Sequence, residues 1–547
     1  MNMFKNKILL VSLIILAFFP ILALFHPGLP ITHDGQDHVA RIANFYQNLS
    51  EGVLIPRWAG NLNWGYGHPI LEFLYPLPSY IASFFHFAGF SFVDSVKVVF
   101  GLGMFFSVFF MYLWLSQFLS RYAAILGALL FTYAPYRFVE TYVRGDIGEN
   151  LAFAFIPLVL LFVYKNYKKN DYRNTLLGGI SLALLILAHN AISLIFVPLI
   201  VSYGLLLLFF AKNRKKYFIN FISIIFIGFS ISCFFWLPAL LEGKYTLRNI
   251  VTKGTYISSF ISIQKLIYGP WNYGISGQFT VQLGILQWIA FIASPIACLL
   301  TYKKNKESFF IIAGLAVSTI AAIFLMLPIS NLIWTRIMLL QNFQFPWRFL
   351  ALIVFSSAVL GAYLFSLLPK KYQKVGLIIC IAFVVFIEKD YMLPKGYQNK
   401  PESFYSGIYN STTDTGESSP IWSVRFMEKR PKANLIAVEG DAKIINLQRT
   451  VTYHKFSVDV SKSSLFEENT LYFPGWEIRA NKTPLNIEFQ NRNYRGLMTF
   501  ILGKGNYIVE ARYSETKLRL VSDFISVITI IFISIFAAFR FVKRKLY

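Results

Sequence analysis

The stretch Thr32-His33-Asp34-Gly35-Gln36-Asp37-His38-Val39-Ala40-Arg41 sets two carboxylates, two imidazoles and a guanidinium directly behind the first apolar segment of a very apolar chain. Ionisable groups are costly beside lipid, so such a cluster at a membrane edge marks a functional site. In a helix over 34–41 the side chains of Asp34, His38 and Arg41 fall at i, i+4 and i+7 and share one face. A carboxylate placed there can take a proton from an attacking hydroxyl. An imidazole and a guanidinium beside it can orient the substrate or hold its phosphate. Asp34, His38 and Arg41 are therefore the first candidates for a functional site. The plainer alternative is an N-cap at Asp34 and a solvated Asp37–Arg41 ion pair.

Further along the same loop, Arg57, Trp58, Trp64, Tyr66 and His68 supply a cation and stacking faces suited to sugars and phosphates. An interfacial aromatic belt would use the same residues. Arg137, Glu140, Arg144, Asp146 and Glu149 crowd one short connection. There Arg144 can clamp a phosphate with Glu149 holding it in place, or the five can form a salt-bridge lattice. Arg348, after Gln344 and Pro346-Trp347, is placed to meet a lipid phosphate or to snorkel to the headgroups. His189 closes an apolar run, where a histidine is more often a packing residue.

These groups must be positioned by membrane helices. Of 547 residues 56% are hydrophobic and only 14% charged, which excludes an ordinary soluble domain. The net charge of +24 comes from short Lys/Arg clusters between apolar runs, the pattern of topology signals, so no nucleic-acid partner is implied. Cys233, Cys298 and Cys380 fall inside apolar runs without CxxC pairing and read as small core residues. Lys5 and Lys7 before Ile8–Phe25 have a signal-sequence layout without a cleavage site, predicting an uncleaved signal-anchor.

At roughly 17–20 residues per span the expected helices number about twelve. They lie near 7–26, 96–118, 122–135, 149–165, 175–190, 191–211, 218–241, 279–301, 308–328, 347–368, 375–392 and 519–540. With both termini cytoplasmic, the basic clusters from Arg121 to Arg540–Lys545 all fall inside, provided 78–92 is an interfacial segment and not a span. Residues 27–95 and 393–518 are then extracytoplasmic. Residues 1–392 make the membrane domain with its large first loop, and 519–547 the last helix and basic tail. Alternation in 453–460 and 497–502, the break at Gly503-Lys504-Gly505-Asn506 and the run 507–513 predict a small antiparallel β domain within 393–518.

Asp34 and His38 four residues apart, Pro56-Arg57-Trp58, Gly65-Tyr66-Gly67-His68-Pro69, Tyr75-Pro76-Leu77-Pro78, Arg144 to Glu149, His189-Asn190, Gln344 to Phe349 and Phe473-Pro474-Gly475-Trp476 together carry a resemblance. The chain resembles bacterial membrane proteins of the "6-pyruvoyl-tetrahydropterin synthase related" membrane-domain family, which are similar in turn to polytopic GT-C glycosyltransferases. No zinc-His₃ pterin site is visible, so no pterin is expected. The resemblance implies a GT-C-like fold, transfer of a sugar from a polyprenyl-phosphate carrier to a glycan or envelope-polymer acceptor at the outer face of the plasma membrane, and Asp34 as the catalytic acid residue of the first loop. Many GT-C members carry two adjacent acids there. Asp34 and Asp37 are separated, so a Mg²⁺ or Mn²⁺ held by these two stays an open alternative. The rival functions are a transporter or flippase of lipid-linked sugars and a non-catalytic envelope assembly protein. Against the transporter, the charges collect at helix ends and no half-repeat is visible.

Overall fold

The computed structural model describes residues 7–274 and 278–545. Lys5 and the end of the basic tail lie outside the described residues. Apolar helices form a bundle, a long first loop caps one end of it, and an antiparallel sheet packs on that loop.

Each of the twelve expected positions carries helix, but the expected number of spans is corrected. Among the described residues seven helices are long and apolar enough to cross a membrane, or up to nine if each of two bent pairs is one span. The shortfall has local causes. The first apolar segment breaks into Lys7–Phe18 and a tighter Phe19–Phe25 turn around Pro20, and Tyr172–Ala188 stops at 17 residues. Lys370–Glu388 opens on Lys370, Lys371 and Lys374 and ends on Glu388. The two bent pairs are Arg121–Thr132 with Pro135–Arg144 (50°) and Arg214–Ile231 with Cys233–Tyr245 (70°). Pro135 starts the second limb of the first pair, where its missing N–H costs no helical hydrogen bond. The Leu77–Phe87 helix has 11 residues, about half the length a span needs.

Burial sorts the helices. Ile147–Lys168 and Pro346–Ser366 are 83% buried over their most apolar windows, whereas the last helix is 11% buried and points Ile528, Phe532 and Ile535 outward. The first are the bundle's core and the second faces lipid. This is a multi-pass membrane protein.

The sheet runs Leu435–Arg449, Tyr453–Leu471, Gly505–Tyr513, Trp476–Ala480, Thr483–Pro484, all neighbours antiparallel. Leu497–Leu502 pairs with the far half of Tyr453–Leu471, placing Phe466 opposite Phe500. The strands and turn expected between 453 and 513 are present. Leu435–Arg449 lacked a clear alternation because much of its length is exposed on both faces.

The first loop lies between bundle and sheet. Trp58 meets Trp476 edge-on at 5.5 Å, Phe73 meets Phe473 at 5.9 Å, and Leu471 N–H donates to Tyr66 O at 3.0 Å. Leu29–Pro30 pairs with Tyr397–Gln398. The irregular segment after residue 398 then threads along the Gly35–Ser50 helix, so sheet, loop and bundle share one core.

Candidate functional site

The Gly35–Ser50 helix begins after Asp34, which occupies the N-cap position but makes no capping hydrogen bond with its side chain. Its backbone is held instead. Asp34 N–H donates to Arg144 O at 2.8 Å and His33 N–H to Val143 O at 3.0 Å. The half-buried Asp34 carboxylate has no hydrogen-bond partner among the described residues. Burial pushes it above the usual carboxylate range, with Asp146 and Asp37 adding to the rise and Arg144 and Arg41 opposing it.

The Asp37–Arg41 ion pair does not form. Asp37 accepts from Tyr409 O–H at 2.9 Å, and Arg41 donates to Thr413 Oγ1 at 2.9 Å and to Thr413 O at 2.5 Å. A second Arg41 nitrogen lies 3.2 Å from His38 Nδ1. Since arginine can only donate, His38 is fixed as the neutral tautomer with its proton on Nε2. Burial, then Arg41, lowers the His38 pKa well below its ordinary value and keeps the ring neutral.

Beside this loop lies the acidic connection. The chain widens into a π turn over Val139–Arg144 and reverses at Gly145 (φ +73°). A Cβ there would sit 2.2 Å from Thr32 Oγ1, so only glycine lets the two loops touch. Asp146 then caps the Ile147–Lys168 helix by accepting from Glu149 N–H at 2.9 Å. Arg144 is the hub. Its guanidinium reaches Glu140 at 2.6 Å, Asp146 at 3.0 Å and Glu149 at 3.0 Å, and lies 4.5 Å from the Trp347 ring centre. Tyr136 O–H donates to Glu149 at 2.6 Å and Tyr75 O–H to Asp146 at 3.1 Å.

Arg348 approaches from the helix beginning at Pro346. Its Nε is 3.9 Å from Glu149 and has no hydrogen bond, while Nη1 donates to Phe343 O. His189 Nε2 is 3.6 Å from Asp146 and its Nδ1 accepts from Ile192 N–H.

Asp146, Glu149 and His189 offer ligand atoms all within 4.8 Å of one another. Two carboxylates and an imidazole could hold a divalent cation such as Mg²⁺ or Mn²⁺. Asp34 and Asp37 are outside this cluster.

Thus Asp34, His38, Arg144, Glu149 and Arg348 gather at one place, and Arg41 stands at its edge. Arg57 is elsewhere, forked onto Glu515 (3.0 Å) and Asp523 (2.7 Å) beside the last helix. His68 is buried with Nε2 3.1 Å from Ser419 Oγ. Sequence reasoning gave no role to Tyr75, Tyr136 or Thr413. The Asp-x-x-Glu spacing of Asp146 and Glu149 is a helix-start signature that the sequence analysis did not use.

Residues 71–391, more than half of the chain, match the family described as "6-pyruvoyl-tetrahydropterin synthase related domain; membrane protein". The chain belongs to this family. An uncharacterised protein of Lactococcus lactis is 27% identical over 260 residues, a match covering 45% of this chain and about two fifths (41%) of that relative. Among solved structures, a mycobacterial arabinofuranosyltransferase, AftD, is similar over 72% of this chain and 27% of its own (13% identity, TM-score 0.47). The Archaeoglobus fulgidus oligosaccharyltransferase is similar over 77% of this chain and 62% of its own (15% identity, TM-score 0.46). ArnT from Cupriavidus metallidurans, solved with undecaprenyl phosphate, is similar over 72% and 90% (10% identity, TM-score 0.30).

Proposed function

We propose that this family member is an inverting glycosyltransferase that moves a sugar from a polyprenyl-phosphate donor to a cell-envelope acceptor, with its site at the outer membrane face. The observation that carries this reading is the unpartnered Asp34 carboxylate, set by backbone hydrogen bonds beside a buried cluster of charged groups. A buried carboxylate without donors is a base in want of a proton.

In this reaction Asp34 accepts the proton of an acceptor hydroxyl as its oxygen attacks the anomeric carbon. The bond from that carbon to the phosphate oxygen breaks, and the polyprenyl phosphate leaves with the electron pair. A single displacement from the opposite side inverts the anomeric centre. Phosphate is a sufficient leaving group without a strong acid, so what it needs is positive charge. Arg348 offers an uncommitted Nε for it. Arg144, engaged by three carboxylates, holds those acids in place. His38, with its Nε2 proton, is a neutral donor for a sugar hydroxyl. A divalent cation on Asp146, Glu149 and His189 would supply further positive charge to the phosphate.

The test is release of polyprenyl phosphate when the purified protein is given a panel of polyprenyl-phosphate sugars together with a panel of glycan acceptors. Asp34→Asn is expected to slow turnover by about 10² to 10⁴-fold, the usual worth of a general base, with donor affinity little changed. Asp37→Asn should cost far less. Donor binding without any release by the wild type would replace the enzyme with a carrier of lipid-linked sugars.

A further inference from the structure

A polar cavity of about 150 Å³ lies at the seam of the first loop and the sheet, away from Arg144. Trp58, Asn61 and Tyr66 line it from the loop, and Arg449, His454 and Thr470 from the strands. Two of these carry buried polar atoms that make no hydrogen bond. Thr470 is 1% exposed and its Oγ1 has no partner. Arg449 Nη1 is likewise without a hydrogen bond, 3.5 Å from Glu468 Oε1. That same oxygen is 2.8 Å from His454 Nδ1. Buried groups left this way cost stability unless water or a ligand completes them.

The cavity's size and chemistry narrow the ligand. A cavity of about 150 Å³ is the size that holds one benzene molecule, so a single six-membered ring is the unit it can take. The Glu468 carboxylate beside Arg449 cancels its charge, which disfavours an anion and suits a neutral, hydroxyl-rich group. Aromatic rings beside hydrogen-bonding side chains provide what such a group needs, an apolar face next to donors and acceptors. Gly67, at φ +78°, allows this wall: a Cβ there would meet the Trp58 ring at 2.5 Å.

We propose that this cavity binds one sugar residue of a glycan, through hydrogen bonds to Arg449 and Thr470 beside the rings of Trp58 and Tyr66. The inference does not rest on the transfer reaction, because binding is read without turnover. A glycan held here is anchored jointly by first loop and sheet, and would couple the two.

The experiment uses the full chain in a detergent without a sugar headgroup. Methyl glycosides of glucose, galactose, mannose, N-acetylglucosamine and glucuronic acid are the probes, with glycerol 3-phosphate as the anion for comparison. Binding is followed by saturation-transfer NMR and tryptophan fluorescence. At least one neutral glycoside is expected to bind. Thr470→Val and Arg449→Gln should each weaken it by roughly tenfold, the worth of one hydrogen bond. Thr470→Val keeps the side chain's shape and removes an unpartnered hydroxyl, so its melting temperature should equal or exceed that of the wild type. Weaker binding in a protein no less stable separates recognition from folding. The proposal is overturned if no glycoside binds, if binding ignores both substitutions, or if glycerol 3-phosphate alone binds.

Discussion

The backbone N–H of Asp34 donates to the carbonyl of Arg144 across 2.8 Å, and this single contact joins the proposed base to the hub of the acidic cluster. The hydrogen bond is between main chains, so neither side chain is used up by it. Asp34 keeps its carboxylate free, and Arg144 keeps its guanidinium for Glu140, Asp146 and Glu149. The first loop is thereby tied to the turn that leads into Ile147–Lys168, one of the bundle's two most buried helices.

Gly145→Ala tests that junction. A side chain at φ +73° costs about 1–2 kcal/mol, and its Cβ would also strike Thr32. The bundle should still assemble, with helical circular dichroism near wild type and melting temperature moderately lower. Turnover should fall much further than stability. A variant of normal activity would show that the contact does not set Asp34.

The acid limb of turnover is the second expectation. Burial raises the Asp34 pKa in the folded protein, so the carboxylate gains its proton at a higher pH than the ordinary value of about 3.9. As pH falls through that raised pKa the free protein loses its base, and kcat/KM should fall with a slope of one. The limb should therefore lie above pH ~4. In Asp34→Asn the residual rate should lack it. An unchanged limb in that variant would assign the titration to another group.

Much of this corner was legible in the sequence because charge is conspicuous in an apolar chain. Asp34, His38, Arg144, Glu149 and Arg348 stood out for that reason alone. The contacts by which they meet were not legible, since these depend on the bend at Pro135 and on a glycine contact between distant loops. Arg57 carried the same signal and is paired with the last helix instead, because type and hydropathy do not say which of several acids an arginine will reach. The helix positions followed from apolar runs. Their number as spans did not, because Pro20 and the lysines at 370, 371 and 374 shorten segments whose composition alone looked sufficient. The sheet was recognised from its buried strands, while Leu435–Arg449, exposed along much of its length, left no alternation to read.

Chelation addresses the Asp146, Glu149 and His189 cluster. Removing divalent ions is expected to lower turnover, with Mn²⁺ or Mg²⁺ restoring it. His189→Gln should raise the metal concentration required, typically by about 10–100-fold for a lost ligand or its support. Mn²⁺ binding read by electron paramagnetic resonance gives the same comparison without activity. Indifference to chelator together with no bound Mn²⁺ would leave charge neutralisation to Arg144 and Arg348.

Orientation is checked by labelling single cysteines in intact cells. The register of basic clusters predicts that position 410 reacts with an impermeant reagent and position 214 only after permeabilisation. The reverse pattern would move the proposed site to the cytoplasmic face and remove the outward donor.

The last helix is held at its base by Arg519, and the arrangement makes a graded prediction. Arg519 is fully buried, with Nη2 2.5 Å from Glu242 and 2.8 Å from Glu72, the latter out of line for a hydrogen bond. Nε also donates to Glu242 at 2.9 Å, and Thr516 O–H donates to its other oxygen at 2.7 Å. Two acids thus share one cation, and burial pushes the Glu72 carboxyl well above the usual range despite Arg519. Burial favours the neutral carboxyl at Glu72, so Glu72→Gln, which keeps a neutral side chain of the same shape, is expected to cost little. Arg519→Met instead leaves a buried carboxylate without its cation, a loss of about 3–5 kcal/mol when one partner is removed. Melting temperatures of the three proteins in one detergent decide it. Near-equal stability of Arg519→Met and wild type would mean that apolar packing alone docks this helix, and a severe loss in Glu72→Gln would mean that Glu72 is the ionised partner.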